Sequence, residues 1–180
     1  IFHLLIFIFI IDKIKSAHKG GIWFMYAYEL FEKMKKIAQE NISKNGSSYI
    51  KTIADYSYTR LLHDENLDKS TALNTVIGLF ACVACNDGKL SYDEYKGMWR
   101  IFGSNPDYTY DDFFNTMSKF NKQEWRNQTE YVFKNLRTKE ASINLICFAI
   151  TVALLDNNLS ENEELFITSL CGIIRDKFYR

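Results

Sequence analysis

Four carboxylates occupy matched places in this chain. Asp87 and Glu94 bracket the stretch Asp-Gly-Lys-Leu-Ser-Tyr-Asp-Glu at residues 87–94, and Asp156 and Glu163 bracket Asp-Asn-Asn-Leu-Ser-Glu-Asn-Glu at residues 156–163. Both read Asp-x-x-Leu-Ser-x-x-Glu. Ser-x-x-Glu is a capping box: the serine oxygen accepts from the amide three residues on, and the glutamate reaches back to the serine amide. Ser91 with Glu94 and Ser160 with Glu163 therefore predict two helix starts, each cap worth about 1 kcal/mol. Leu90 and Leu159 precede the caps and suit a hydrophobic staple to the core. Gly88 and Asn157 suit a left-handed helix end.

Asp87 and Asp156 are harder to explain, because each closes a helix, where the dipole disfavours an anion. Two chemistries account for them. The carboxylate can accept loop amides in an Asx turn, or Asp87, Glu94, Asp156 and Glu163 can together hold a divalent cation. The candidate ions are calcium, magnesium, manganese and zinc. An EF-hand is excluded, since its first and third ligand positions would fall on Val83 and Cys85, which offer calcium no oxygen.

Other groups carry weaker signals. Cys82 and Cys85 have redox or zinc spacing, but they lie in the C-terminal half of a predicted helix, away from the helix end that stabilises thiolates. Zinc would need Cys147 and Cys171 to converge with them. The expectation is four buried thiols in a reducing compartment. His3, His18 and His63 share no ligand spacing, and no Gly-rich phosphate loop is present. No catalytic constellation is visible, so the chain reads as a non-enzyme. The aromatic group Tyr108, Tyr110, Phe113, Phe114, Phe120 and Trp125 reads as core.

Helices must position these groups. The chain has 180 residues, 47% of them hydrophobic, with one proline and eight glycines. So few breakers favour long helices over many short strands. Helices are expected over residues 22–43 and 48–62, and from about 70. In the third, Leu73, Val76, Ile77, Phe80, Ala81 and Ala84 follow an inward helical stripe. A fourth starts at Ser91 and buries Tyr95, Met98, Trp99 and Phe102. Thr109 suits an N-cap, with Asp111 and Asp112 in its first turn, and Phe113, Met117 and Phe120 share a face. Further helices are expected over 122–136, 139–155 and 160–176. His63, Asp64, Glu65 and Asn66 read as a polar connection. The fold class is all-α: a compact bundle of about six to eight helices with two pseudo-symmetric helix–turn–helix repeats, near residues 70–103 and 139–176.

Lysine plus arginine equals aspartate plus glutamate at 22 each, which leaves no electrostatic pull toward nucleic acid. Residues 1–11 are almost all apolar, fewer than the roughly 20 a spanning helix needs. Residues 1–21 form an apolar extension with three readings: the tail of a membrane or signal segment, an upstream extension of a reading frame starting at Met25, or a core element. The second fits best, because Lys19, Gly20 and Gly21 separate the run from a patterned helix. Residues 22–180 then form one domain, cytoplasmic, with membrane contact only if the apolar run is authentic.

Residues 81–94 (ACVACNDGKLSYDE) and 152–163 (VALLDNNLSENE) resemble the paired signatures of the TerB-like family of tellurite-resistance proteins: an alanine-rich helix, Asp-Gly, then Ser-x-x-Glu. The family also includes the N-terminal domain of some DnaJ-like membrane chaperones. The resemblance covers about residues 70–176. It implies an all-α fold with pseudo-twofold halves, divalent metal near Asp87, Glu94, Asp156 and Glu163, and a role in stress response or as a module contacting protein partners. Asn157 departs from the usual glycine, and Tyr95 and Glu164 stand where the family often has a basic residue. Two other readings remain: a metal-dependent hydrolase-like enzyme using clustered carboxylates, and a structural adaptor of a membrane-associated complex.

Overall fold

The computed structural model describes residues 27–46, 48–86, 91–102, 111, 121–156 and 158–179. Among these the chain forms seven helices and no strand. They are α1 (Ala27–Asn45), α2 (Ser48–His63), α3 (Lys69–Ala84), α4 (Tyr92–Phe102), α5 (Lys122–Asn135), α6 (Lys139–Ala153) and α7 (Glu161–Phe178). The all-α bundle expected from the scarcity of breakers is what the chain builds. No helix among the described residues is long and apolar enough to cross a membrane.

The bundle is organised around α6. Every residue from 141 to 153 is buried, and none of them is charged. A helix apolar on all sides belongs inside a bundle. Accordingly α1, α2, α3 and α7 pack around it, α4 lies against α2, and α5 spans α3 and α7. Phe31, Phe80, Phe133, Phe148 and Phe166 are the largest side chains fully removed from water. Two glycines permit close approach. A β-carbon at Gly78 of α3 would stand 2.9 Å from the Trp125 ring on α5, and one at Gly97 of α4 would stand 2.5 Å from Leu155 Cδ1, just past the end of α6.

Helix starts follow local capping chemistry. The Asp68 carboxylate accepts from the Thr71 amide at 2.9 Å, Asn121 Oδ1 accepts from Gln123 and Glu124, and Thr138 Oγ1 accepts from Ala141. The polar connection after α2 holds a surprise. Glu65 is buried, and its two oxygens accept from the Arg137 amide at 2.6 Å, the Thr138 amide at 2.8 Å and the Thr138 hydroxyl at 2.7 Å. It ties the α2–α3 link to the start of the central helix.

Three sequence expectations are corrected. Leu73 and Ile77 face outward, at 43% and 37% exposure, while Ala72, Val76, Leu79, Phe80 and Val83 form the buried stripe. On α4, Met98 and Ile101 are buried and Tyr95 and Trp99 only half so. Trp125 is likewise half-buried, packed on the edge of the core. The expected N-cap at Thr109, the face of Phe113, Met117 and Phe120, and the aromatics Tyr108, Tyr110 and Phe114 lie outside the described residues, as does the extension over residues 1–21.

Candidate functional site

The helices α3 and α6 end in the same way. At the first elbow the Cys85 amide donates to the Ala81 carbonyl at 3.1 Å and the Asn86 amide to Val83 at 3.0 Å; at the second, Leu154 donates to Ile150 at 3.1 Å and Leu155 to Val152 at 3.1 Å. Each elbow then opens a helix through the predicted box. The Ser91 amide donates to Glu94 Oε2 at 2.7 Å, and the Glu94 amide donates to Ser91 Oγ at 3.1 Å. The Ser160 amide donates to Glu163 Oε2 at 2.8 Å, and the Glu163 amide returns to Ser160 Oγ at 3.3 Å. Leu159 packs against the core as the staple requires.

A capping glutamate usually sits at the surface. Here Glu94 and Glu163 keep only 5% and 4% of their area in water. Burial pushes the Glu94 carboxyl up from its ordinary 4.5 to about 8. The two Ser91 hydrogen bonds pull it down, and the charges of Glu163 and Asp156 push it further up. Glu163 and Asp156 thus lie close enough for their charges to act on Glu94. The contact of Gly97 with Leu155 explains the convergence, since it seats α4 against the elbow that carries Asp156.

Asp156 also performs the loop chemistry expected of it, because its Oδ1 accepts from the Asn158 amide at 2.9 Å in an Asx turn. Asp87, with Gly88, Leu90 and Asn157, lies outside the described residues. Among the described residues, no three His, Cys, Asp or Glu side chains are gathered closely enough to hold a metal ion. Glu94, inclined to stay protonated, thus feels the charges of two carboxylates from the second elbow. A separate recess of about 140 Å³ is lined by Ile50, Leu154 and Leu155 together with Asp93 and Arg100, and by none of the three carboxylates.

The cysteines divide into two kinds. Cys147 and Cys171 are buried inside the bundle, with Cys147 Sγ 3.4 Å from Met34 Sδ. Cys82 and Cys85 sit elsewhere, on the last turn of α3, where they line a small cavity against α5. The four do not converge on a zinc site, and Cys85 is half-exposed rather than buried. Sequence reasoning missed Glu65 and the basic wall of the α3–α5 cavity, both made by residues far apart in the chain.

No family model matches the chain, and neither the curated proteins nor the solved structures contain a match.

Proposed function

We propose that this chain is a TerB-like interaction domain that binds a divalent cation at its paired acidic elbows and acts through protein partners, in a stress response. Glu94, Glu163 and Asp156, joined by Asp87, are the proposed ligands. The observation that carries this reading is the burial of both capping glutamates, with the charges of Glu163 and Asp156 acting on Glu94. Carboxylates crowded in this way repel one another, and a hard cation with oxygen ligands relieves the repulsion. The Glu94 carboxyl has to release its proton as the ion arrives, so binding strengthens with pH. Beside the elbows, Tyr92 and Leu165 stand 60% and 59% exposed and supply apolar area for a partner.

Calorimetric titration with calcium, magnesium, manganese and zinc tests the reading. Binding by at least one ion is expected, weakened in the Asp87→Asn/Asp156→Asn double variant and tighter at pH 8 than at pH 6. Absence of binding by all four ions, or equal binding by the double variant, overturns it.

A further inference from the structure

Cys82 and Cys85 have a position that their place on α3 hides. A thiolate at the C-terminal end of a helix faces the negative pole of the dipole. Across the cavity, however, stands the opposite pole of another helix, the first turn of α5. Lys122, Trp125 and Arg126 project from one face of that turn into the cavity lined by Cys82, Cys85 and Asn86. Two basic residues from the start of a helix therefore share a cavity with the pair, the kind of setting in which thiols become reactive. Asn86 adds an N–H donor: its Nδ2 is enclosed and has no hydrogen-bond partner among the described residues.

The two sulfurs differ. Cys85 is half-exposed, at the C-cap position, with φ −105° and ψ 11°. Cys82 is buried, and its Sγ lies 3.2 Å from Thr129 Oγ1. Burial raises the Cys82 thiol, while the Thr129 hydrogen bond and the Arg126 charge oppose the rise. The cavity measures about 20 Å³, room for a molecule of roughly the size of water and little more.

We propose that Cys82 and Cys85 form a dithiol that hydrogen peroxide oxidises to an intramolecular disulfide, with Cys85 oxidised first and Cys82 resolving it. The Cys85 thiolate takes one peroxide oxygen, the O–O bond breaks, and hydroxide leaves, protonated to water. The Cys82 sulfur then displaces the hydroxyl of the Cys85 sulfenic acid as a second water. Two thiols lose two electrons, and one peroxide becomes two waters. Residues three apart on a helix have β-carbons about 5–6 Å apart, and a disulfide needs roughly 3.5–4.5 Å. Cys85 has already left helical geometry, with φ −105° and ψ 11°, so the terminal turn has to draw in by that difference as the bond forms. The strain makes the bond easy to reduce again. The small cavity favours hydrogen peroxide over bulky organic hydroperoxides.

The test exposes the reduced full-length chain to hydrogen peroxide, denatures it, alkylates it and maps the peptides without reductant. The expected result is an 82–85 bond, with the mass lower by two hydrogens and Cys147 and Cys171 fully alkylated. In Cys82→Ser, dimedone should trap a sulfenic acid on Cys85. In Cys85→Ser, Cys82 should remain alkylatable. Lys122→Gln should slow the wild-type oxidation about threefold by removing one of the two cations that line the cavity. Full alkylation of Cys82 and Cys85 after peroxide overturns the proposal, as does a bond between two chains instead of within one. The wild-type map alone decides the matter if a variant folds poorly.

Discussion

A carboxyl group held at 5% exposure beside two other acids can lower its energy by keeping a proton or by sharing a cation. Glu94 faces that choice at neutral pH. In the unfolded chain it would ionise near 4.5, whereas in the fold it ionises near 8. Between those values the native state binds the extra proton, so native stability falls as pH rises. The contribution is complete below about 4.5 and gone once pH has passed through about 8. In a chelator, the melting temperature is therefore expected to decline from pH 6 to pH 9. Glu94→Gln keeps an oxygen for the Ser91 amide and removes the ionisable proton, so its melting temperature should decline less and exceed the wild type's at pH 9. Thermal melts at four or five pH values check this, and an equal decline in the variant would refute the assignment to Glu94.

At the scale of helices, the ends were the most legible part of the sequence, because capping is local. Ser91 with Glu94 and Ser160 with Glu163 announce α4 and α7 within four residues, and both boxes form. Faces were less legible. From Val76 to its end α3 is apolar on every side, so two helical stripes fit equally well, and packing against α6 selects the one through Ala72, Val76 and Leu79 over the one through Leu73 and Ile77. Glu65 carried no signal at all, since its partners Arg137 and Thr138 are distant in sequence. Its role predicts a large effect for a loop residue. Glu65→Ala leaves two amides and a hydroxyl at the start of α6 without their acceptor, and each buried polar group so stranded costs about 1–3 kcal/mol. With water partly replacing the lost oxygens, the expected loss is about 2–4 kcal/mol. Urea unfolding measures it. A loss under about 0.5 kcal/mol, the range of an ordinary surface substitution, would show that Glu65 does not anchor the central helix.

For the molecule as a whole, the sequence disclosed the two capping boxes but not that Glu94 lies within reach of the charges of Glu163 and Asp156, which depends on α4 closing against the end of α6. The same dependence on assembly governs the core. Burying α6 on every side places Asn144, an unremarkable polar residue in the sequence, at 0% exposure in the middle of the bundle. Its backbone carbonyl accepts from Ser57 Oγ at 3.4 Å, but neither side-chain atom has a partner among the described residues. Removing an unpaired carboxamide from a core stabilises a protein, because the group's lost hydration is no longer uncompensated. Leucine keeps the branching at the γ-carbon and offers no polar atom. Asn144→Leu is therefore expected to gain about 1–2 kcal/mol, a rise of roughly 2–8 °C in melting temperature for a chain of this size. Asn144→Asp should do the reverse, since it buries a charge without a counter-charge. Paired thermal and urea unfolding of the two variants separates the outcomes. If both lose stability alike, the Asn144 amide is held by hydrogen bonds and α6 is a polar-tethered helix rather than one fixed by apolar packing alone.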